Sequence, residues 1–145
     1  MNSPSLTDAG LNGGVAIVTG GSRGIGRAIV ELLAAAGMDL VLTYRQDSAA
    51  AAEVVAAGQG LRIAAEPLDV RGAAACMALV EKVVERAGKI DLLVNNAGVI
   101  RDNPLTALED EEFRIVLEAN MGGTCNMTRA GAAHMVAQRR GKIVN

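Results

Sequence analysis

The chain has 145 residues, of which half are hydrophobic and 21% are charged, and its formal net charge is −2. This length predicts one domain with a buried core, and the charge balance argues against a nucleic-acid-binding surface. With one phenylalanine, one tyrosine and no tryptophan, stacking of bases on aromatic side chains is not expected either.

The first residues predict a flexible lead-in over 1–13, followed by a single domain over 14–145. The lead-in has neither the basic start nor the apolar run of a signal peptide, and no later run approaches the length of a membrane span. Cys76 and Cys125 lie far apart and match no metal or redox spacing. We therefore expect a cytoplasmic protein with no membrane partner, no metal site, and two free thiols that are buried or half-buried.

Short apolar runs alternate with amphipathic ones along the rest of the chain. Strands are predicted at 15–20, at 39–44, within 61–70 as far as Pro67, within 89–98, and at 142–145. Helices are predicted after Gly24, over 48–58, over 73–87, and over 110–139 with a loosening near Gly122 and Gly123. This alternation predicts an α/β fold with a doubly wound parallel sheet.

Two of these helices have predicted apolar faces. The first is expected to pack through Ile25, Ile29, Leu32 and Leu33. The helix over 73–87 is expected to pack through Cys76, Met77, Val80, Val83 and Val84.

A glycine-rich turn joins the first strand to the first helix in the segment "VTGGSRGIGRAIV". Gly20 can adopt a turn that larger residues avoid, Gly24 lets a phosphate approach the backbone, and Gly26 lets the helix press on the sheet. Polar groups at the same turn come from Thr19, Ser22 and Arg23, and Ile25 lies between the last two glycines. The segment predicts a pyrophosphate site at the helix N-terminus. Alternatively, the turn only tightens the packing between strand and helix.

Four motifs in register resemble the short-chain dehydrogenase/reductase family. They are "TGGSRGIG" after the first strand, Asp69 in "LDV", "NNAG" (Asn95 to Gly98) after the fourth strand, and Asn120 in the long helix. The likeness runs from about residue 13 to 145 and is nearest to the 3-oxoacyl-carrier-protein and acetoacetyl-CoA reductases. It implies a Rossmann-type sheet of order 3-2-1-4-5 and hydride transfer between a nicotinamide cofactor and a carbonyl substrate.

The resemblance also implies roles for individual residues. Asp69 would hold the adenine amino group, and Asn120 would belong to the family's active-site tetrad. The other cofactor-binding positions that it implies are Val70, Asn96, Ala97 and Gly98.

Each of these positions has a purely structural alternative. Asp69 could be a turn residue after a strand, and Asn95 and Asn96 could be turn formers before Gly98. Asn120 could cap or kink its helix. His134 is expected to lie at the surface.

The end of the second strand, "LTYRQD", bears on the choice of cofactor. An acidic residue at this position usually binds the ribose hydroxyls, but Tyr44 and Arg45 occupy it and Asp47 lies further on. Arg45 and Arg23 suit a 2′-phosphate, because a guanidinium group matches phosphate oxygens bidentately. We therefore expect NADP(H) in preference to NAD(H), unless Arg45 is only a solvated charge.

The family's catalytic serine and Tyr-x-x-x-Lys motif have no counterpart in this sequence, and Asn120 is its only match to the tetrad. The expectation is a fold truncated after the fifth strand, namely the cofactor-binding portion of a reductase. Alone it would be inactive, with a carbonyl substrate only if the remaining part is supplied. The alternatives are a stand-alone dinucleotide-binding module and a non-functional truncated form. An open strand edge and an unpaired long helix favour a homo-oligomer.

Overall fold

A computed structural model describes residues 11–145, so most of the predicted lead-in lies outside the described residues. Within them, five parallel strands form one sheet in the order β3-β2-β1-β4-β5. The strands are β1 Val15–Val18, β2 Asp39–Tyr44, β3 Ile63–Pro67, β4 Leu92–Val94 and β5 Lys142–Val144. The predicted doubly wound parallel sheet and its strand order are confirmed.

Helices cover both faces of this sheet. Within residues 11–145, the α-helices are α1 Gly24–Ala35, α2 Ser48–Ala57, α3 Ala73–Ala87, α4 Asp110–Leu117 and α5 Gly123–Ala137, and α4 contributes no buried residue. One apolar cluster joins the sheet to α1 and α2, and a second joins it to α3 and α5. No helix within residues 11–145 combines the length and the apolar character needed to cross a bilayer.

Successive strand residues supply the two clusters in turn. Ile17 packs on the α3/α5 side with Leu93, whereas Val18 packs on the α1/α2 side with Leu42. All four are buried, as the nearly continuous apolar runs of β1, β2 and β4 require.

The buried face of α1 differs from the predicted one. Ile25 is 76% exposed and Leu32 is 54% exposed, so the predicted apolar face is wrong at these two positions. The residues of α1 that are buried against the sheet are Gly26, Val30, Leu33 and Ala34. The close approach of Gly26 to the glycine turn fixes which side of the helix meets the sheet, and this turns Ile25 toward the cleft described below.

Two sulfur-containing side chains also depart from expectation. Met77 is 51% exposed, although Cys76, Val80 and Val83 of the same predicted face are buried. Cys76 is a buried free thiol as predicted, but Cys125 is exposed, so its predicted burial is wrong. Cys125 is not among the buried residues of α5, because it lies on the side of this helix away from α3 and the sheet.

The long predicted helix is divided where the sequence indicates loosening. A π-helical turn, Glu118–Gly122, separates α4 from α5. Gly123 is the first residue of α5 and is buried against the side chain of Val70. Asn120 lies within the π turn, which is the kind of local irregularity that often accompanies a functional site.

A carboxylate fastens the amino end of the sheet, opposite the cleft. Asp91 accepts a hydrogen bond of 2.9 Å from the backbone N–H of Val15 and pairs with Lys89 at 3.2 Å and with Arg140. Burial alone would raise the pKa of Asp91, but the hydrogen bonds from Arg140, Val15 and Lys89 outweigh it and lower that pKa. The ionised carboxylate thus ties β1, β4 and the start of β5 together.

Candidate dinucleotide-binding cleft

A cleft of about 830 Å³ opens at the carboxyl ends of the strands. Thirteen of the fourteen predicted cofactor-binding residues contribute to its wall, and Thr19 lies buried beneath it. The remaining wall residues are Thr43, Gln46, Asp47, Leu68, Val99 and Ala119. A ligand pocket at this end of an open α/β sheet is where such folds bind nucleotides.

The glycine turn has the geometry that its sequence predicts. Gly20 has a φ of +67°, and an added Cβ there would lie 3.0 Å from the Cα of Ala97. A Cβ on Gly26 would overlap the carbonyl oxygen of Gly20 and the side-chain amide of Asn96. At Gly24, by contrast, an added Cβ would meet open space. These glycines bring the start of α1 against the turn and leave its outer side accessible.

The N-terminus of α1 is free to bind an anion. Arg23 occupies the capping position without making a side-chain capping bond, and the first turn contains no acidic residue. The backbone N–H groups at a helix start have no partner inside the helix, and the helix dipole favours negative charge there. Since Ser22, Gly24 and Ile25 line the cleft, this helix start is a suitable cradle for a phosphate.

Thr19 connects the glycine turn to the segment after β4. Its hydroxyl accepts hydrogen bonds from the backbone N–H groups of Asn96 and Ala97, both at 3.0 Å, and donates to the carbonyl of Val94 at 3.3 Å. The side-chain amide of Asn96 donates back to the carbonyls of Thr19 and Gly20 at 2.9 and 3.0 Å. Asn96 therefore holds the glycine turn in place. A role confined to forming its own local turn does not explain these contacts with a distant part of the chain.

Asn95, its neighbour, lies further from the cleft. Its side-chain amide donates to the hydroxyl of Thr128 at 3.0 Å and to the Asn145 side chain at 2.8 Å. Its own buried Oδ1 has no hydrogen-bond partner within residues 11–145.

The end of β2 forms the second wall. Tyr44 is half-buried and Arg45 is exposed, and both line the cleft. Asp47 also lines it, but one oxygen of its carboxylate accepts a hydrogen bond of 2.9 Å from the N–H of Ala50 and caps α2. Thr43, which sequence analysis missed, accepts a hydrogen bond of 3.3 Å from the N–H of Gly20. The sequence does contain a signal for Thr43, because it is a polar residue within the otherwise apolar run of β2.

Asp69 and Val70 lie after β3, beside Arg45. The Asp69 carboxylate accepts hydrogen bonds from the guanidinium of Arg71, at 2.9 Å to Nε and 2.5 Å to Nη2, and from the Arg71 backbone N–H at 3.1 Å. These contacts with Arg71 lower the pKa of Asp69, and the charge of Arg45 adds to the effect. Within residues 11–145, the Val70 N–H has no hydrogen-bond acceptor, and Val70 itself lines the cleft.

Asn120 lies outside the cleft wall, next to Ala119, which is part of it. Its side-chain oxygen accepts from the N–H of Val99 at 2.8 Å, and its amide donates to the carbonyl of Val99 at 3.0 Å. Its own backbone carbonyl accepts from the hydroxyl of Thr124 at 2.7 Å. Asn120 thus holds the segment after Gly98 against the π turn, which a simple helix-kink role does not explain.

Comparisons with known proteins agree with this geometry. The sequence model of the family described as short chain dehydrogenase matches residues 14–145, and the chain belongs to this family. The chain is 38% identical over 137 residues to the 3-oxoacyl-[acyl-carrier-protein] reductase FabG of Escherichia coli, and the match covers 92% of this chain and 54% of that protein.

Two solved structures have the same fold. A short-chain dehydrogenase from Streptomyces avermitilis matches with a TM-score of 0.85 at 34% identity, covering 92% of this chain and 48% of that one. A short chain dehydrogenase from Burkholderia cenocepacia in complex with NADP matches with a TM-score of 0.81 at 39% identity, covering 86% and 51%. The chain therefore spans about half the length of the relatives that it matches.

Proposed function

We propose that this chain is the NADP(H)-binding portion of a short-chain carbonyl or alcohol oxidoreductase. The observation that carries the proposal is the start of α1, which has no capping side chain and opens into a cleft lined by the predicted nucleotide-binding residues. The cleft volume of about 830 Å³ is of the size that ligand sites have. The pyrophosphate would bind to the N–H groups of Ser22, Gly24 and Ile25.

The adenine end of the site is proposed to lie at Asp69 and Val70. Adenine presents an amino donor next to a ring-nitrogen acceptor. The Asp69 carboxylate and the Val70 N–H offer the complementary acceptor and donor on adjacent residues. Their proximity within the cleft supports the role that the family resemblance implies for Asp69.

The proposed preference for NADP(H) rests on two arginines of the cleft wall. Arg23 and Arg45 line the cleft, and neither forms an ion pair within residues 11–145. Asp47, the nearest acid after β2, has an oxygen engaged in capping α2 and is less suited to bind ribose hydroxyls. A 2′-phosphate would pair with the free guanidinium groups.

For the chemistry, the bound nicotinamide would supply or accept the hydride. This chain's contribution would be to orient the cofactor and, through Asn120, to hold the segment from Gly98 to Val99 at the nicotinamide end. The only tyrosine, Tyr44, lies on β2, and no Tyr-x-x-x-Lys occurs in the sequence. We therefore propose that these 145 residues bind the cofactor without reducing a carbonyl.

The test is to add NADPH to the 145-residue chain and follow its fluorescence, then its absorbance in the presence of a short 3-oxoacyl thioester. Saturable binding without NADPH consumption is the expected result. Consumption of NADPH would overturn the proposed inactivity, and an absence of binding would overturn the proposed site. Binding alone would also fit the alternative of a stand-alone module. The reductase portion and the stand-alone module differ in whether adding a separately expressed C-terminal half of a full-length relative restores NADPH consumption.

A further inference from the structure

The loop between β3 and α3 is held by a side chain from a distant helix. The side-chain amide of Asn126, on α5, donates hydrogen bonds to two successive carbonyls, those of Val70 at 3.0 Å and Arg71 at 3.2 Å. Asn126 is separated from them by 56 and 55 positions in the sequence and lies outside the cleft wall.

The same part of α5 also fixes the position of Val70. A Cβ added to Gly123, one turn before Asn126, would overlap the Val70 side chain. From the other side, the thiol of Cys76 on α3 contacts the Val70 carbonyl at 3.3 Å. Val70 is therefore enclosed between α3 and α5, and Asn126 supplies the directional contacts.

These contacts determine where the polar groups of the loop point. The Val70 carbonyl and the Arg71 N–H belong to one planar trans peptide unit, so they point in opposite directions. Because Asn126 holds the carbonyl toward α5, the Arg71 N–H is directed to the other side, where it donates to the Asp69 carboxylate at 3.1 Å. The Arg71 side chain then completes the orientation of that carboxylate.

We infer that Asn126 is a positioning residue for adenine recognition, an inference that rests on the proposed function of the cleft. It acts through the peptide unit between Val70 and Arg71 and touches neither adenine nor any reacting atom. An asparagine suits this task because one amide nitrogen carries two N–H donors for two carbonyls. Aspartate at this position would place acceptors against acceptors, and leucine would leave both carbonyls without this donor.

The experiment compares the affinities of the 145-residue chain for NADPH and for its analogue with hypoxanthine in place of adenine. This exchange replaces the amino group by a carbonyl and turns the ring-nitrogen acceptor into a donor. An oriented Asp69–Val70 pair should then bind NADPH roughly tenfold more tightly than the analogue, as expected when hydrogen-bonding groups are mismatched. Asn126→Leu should reduce this ratio to about threefold or less, since the pair is no longer held.

Cys125→Ser is the matched control, because Cys125 is the exposed neighbour of Asn126 on α5. It should keep the wild-type ratio. If Asn126→Leu does not fold, Asn126→Ser gives the same test, because the shorter hydroxyl can donate only one hydrogen bond.

The outcomes separate this inference from the function on which it rests. A wild-type ratio retained in the folded Asn126 variant would overturn the inference and leave the proposed function intact. Equal wild-type affinity for the two compounds would likewise overturn it, because there would be no adenine recognition to orient. An absence of binding by the wild type would overturn the proposed function itself.

Discussion

At the carboxyl end of β2, the exposed side chain of Arg45 lies beside Asp69 and forms no ion pair within residues 11–145. An unpaired guanidinium at the rim of a nucleotide cleft can bind a phosphate through two parallel hydrogen bonds. Its charge also helps to keep the neighbouring Asp69 ionised. We therefore propose that Arg45, together with Arg23, sets the preference of the cleft for NADP(H).

Arg45→Ala is expected to weaken NADPH binding by about tenfold, the usual scale for loss of a charge-assisted hydrogen bond, and to leave NADH binding almost unchanged. Calorimetric titration with both cofactors measures the two affinities. Arg86→Ala, which removes an exposed charge in the last turn of α3, is the control and should change neither. Equal affinities for NADPH and NADH in the wild type, unaffected by Arg45→Ala, would contradict the proposed role.

The hydroxyl of Thr19, which is buried beneath the cleft, is expected to stabilise the fold. Thr19→Val keeps the shape of the side chain but leaves the half-buried N–H groups of Asn96 and Ala97 without their acceptor. The free energy of unfolding should fall by about 1–2 kcal/mol, because donors that are only partly shielded from water cost less than the roughly 1–3 kcal/mol of a fully buried unsatisfied donor. Urea unfolding measures this, with the exposed Thr106→Val as control. A loss no larger than that of the control would contradict the assignment.

At the scale of elements, the contact between α1 and the glycine turn sets how the first helix lies on the sheet. Gly26→Ala should destabilise the fold by about 1–3 kcal/mol, because overpacking forces the backbone apart, and should weaken NADPH binding as the helix start moves. Gly122→Ala, in the π turn, has only ordinary contacts and should be neutral or slightly stabilising. Thermal unfolding of both variants checks the difference. Similar behaviour of the two variants would contradict the packing described for α1.

The strand ends opposite the cleft give a prediction about pH. The lowered pKa of Asp91 means that its ionised form stabilises the folded state above the pKa of an unfolded aspartate, which is about 3.9. This contribution is lost as the pH falls through the folded-state pKa. Asp91→Asn should therefore lower stability near neutral pH and flatten its decrease in acid. Urea unfolding between pH 7 and 3 tests this, with the exposed Asp102→Asn as control. An unchanged acid dependence in Asp91→Asn would contradict it.

Local patterns were enough to predict the strands, the glycine turn and the interruption near Gly122. These features depend on the residues themselves and on their immediate neighbours. The buried face of α1 and the exposure of Cys125 were not predicted, because they depend on how each helix is rotated against the sheet. The link from Asn126 to the Val70–Arg71 peptide joins distant parts of the chain, and no local pattern indicates it.

At the scale of the whole molecule, large apolar side chains are exposed along α4 and the π turn. Phe113 is 53% exposed, Leu117 is 41% exposed and Met121 is 65% exposed. The four-residue spacing of Phe113 and Leu117 places them on one side of α4. Within residues 11–145, β5 is also an edge strand that pairs only with β4. Surfaces of this kind favour association.

We expect the chain to self-associate through this helical surface. Sedimentation velocity over a range of concentrations should show species larger than a 14.9 kDa monomer. Leu117→Glu should shift the distribution toward monomer, whereas Leu61→Glu, at an exposed position between α2 and β3, should not. A monomer at all concentrations would contradict the expectation.

We propose that the cleft at the carboxyl ends of the strands binds NADP(H). The most direct measurement is a heteronuclear NMR titration of the ¹⁵N-labelled chain with NADPH, observing each backbone amide. The predicted result is that the largest shifts occur at Ser22, Gly24, Arg45, Val70 and Gly98, with saturation at one equivalent. Shifts centred elsewhere, or none at saturating NADPH, would contradict the account.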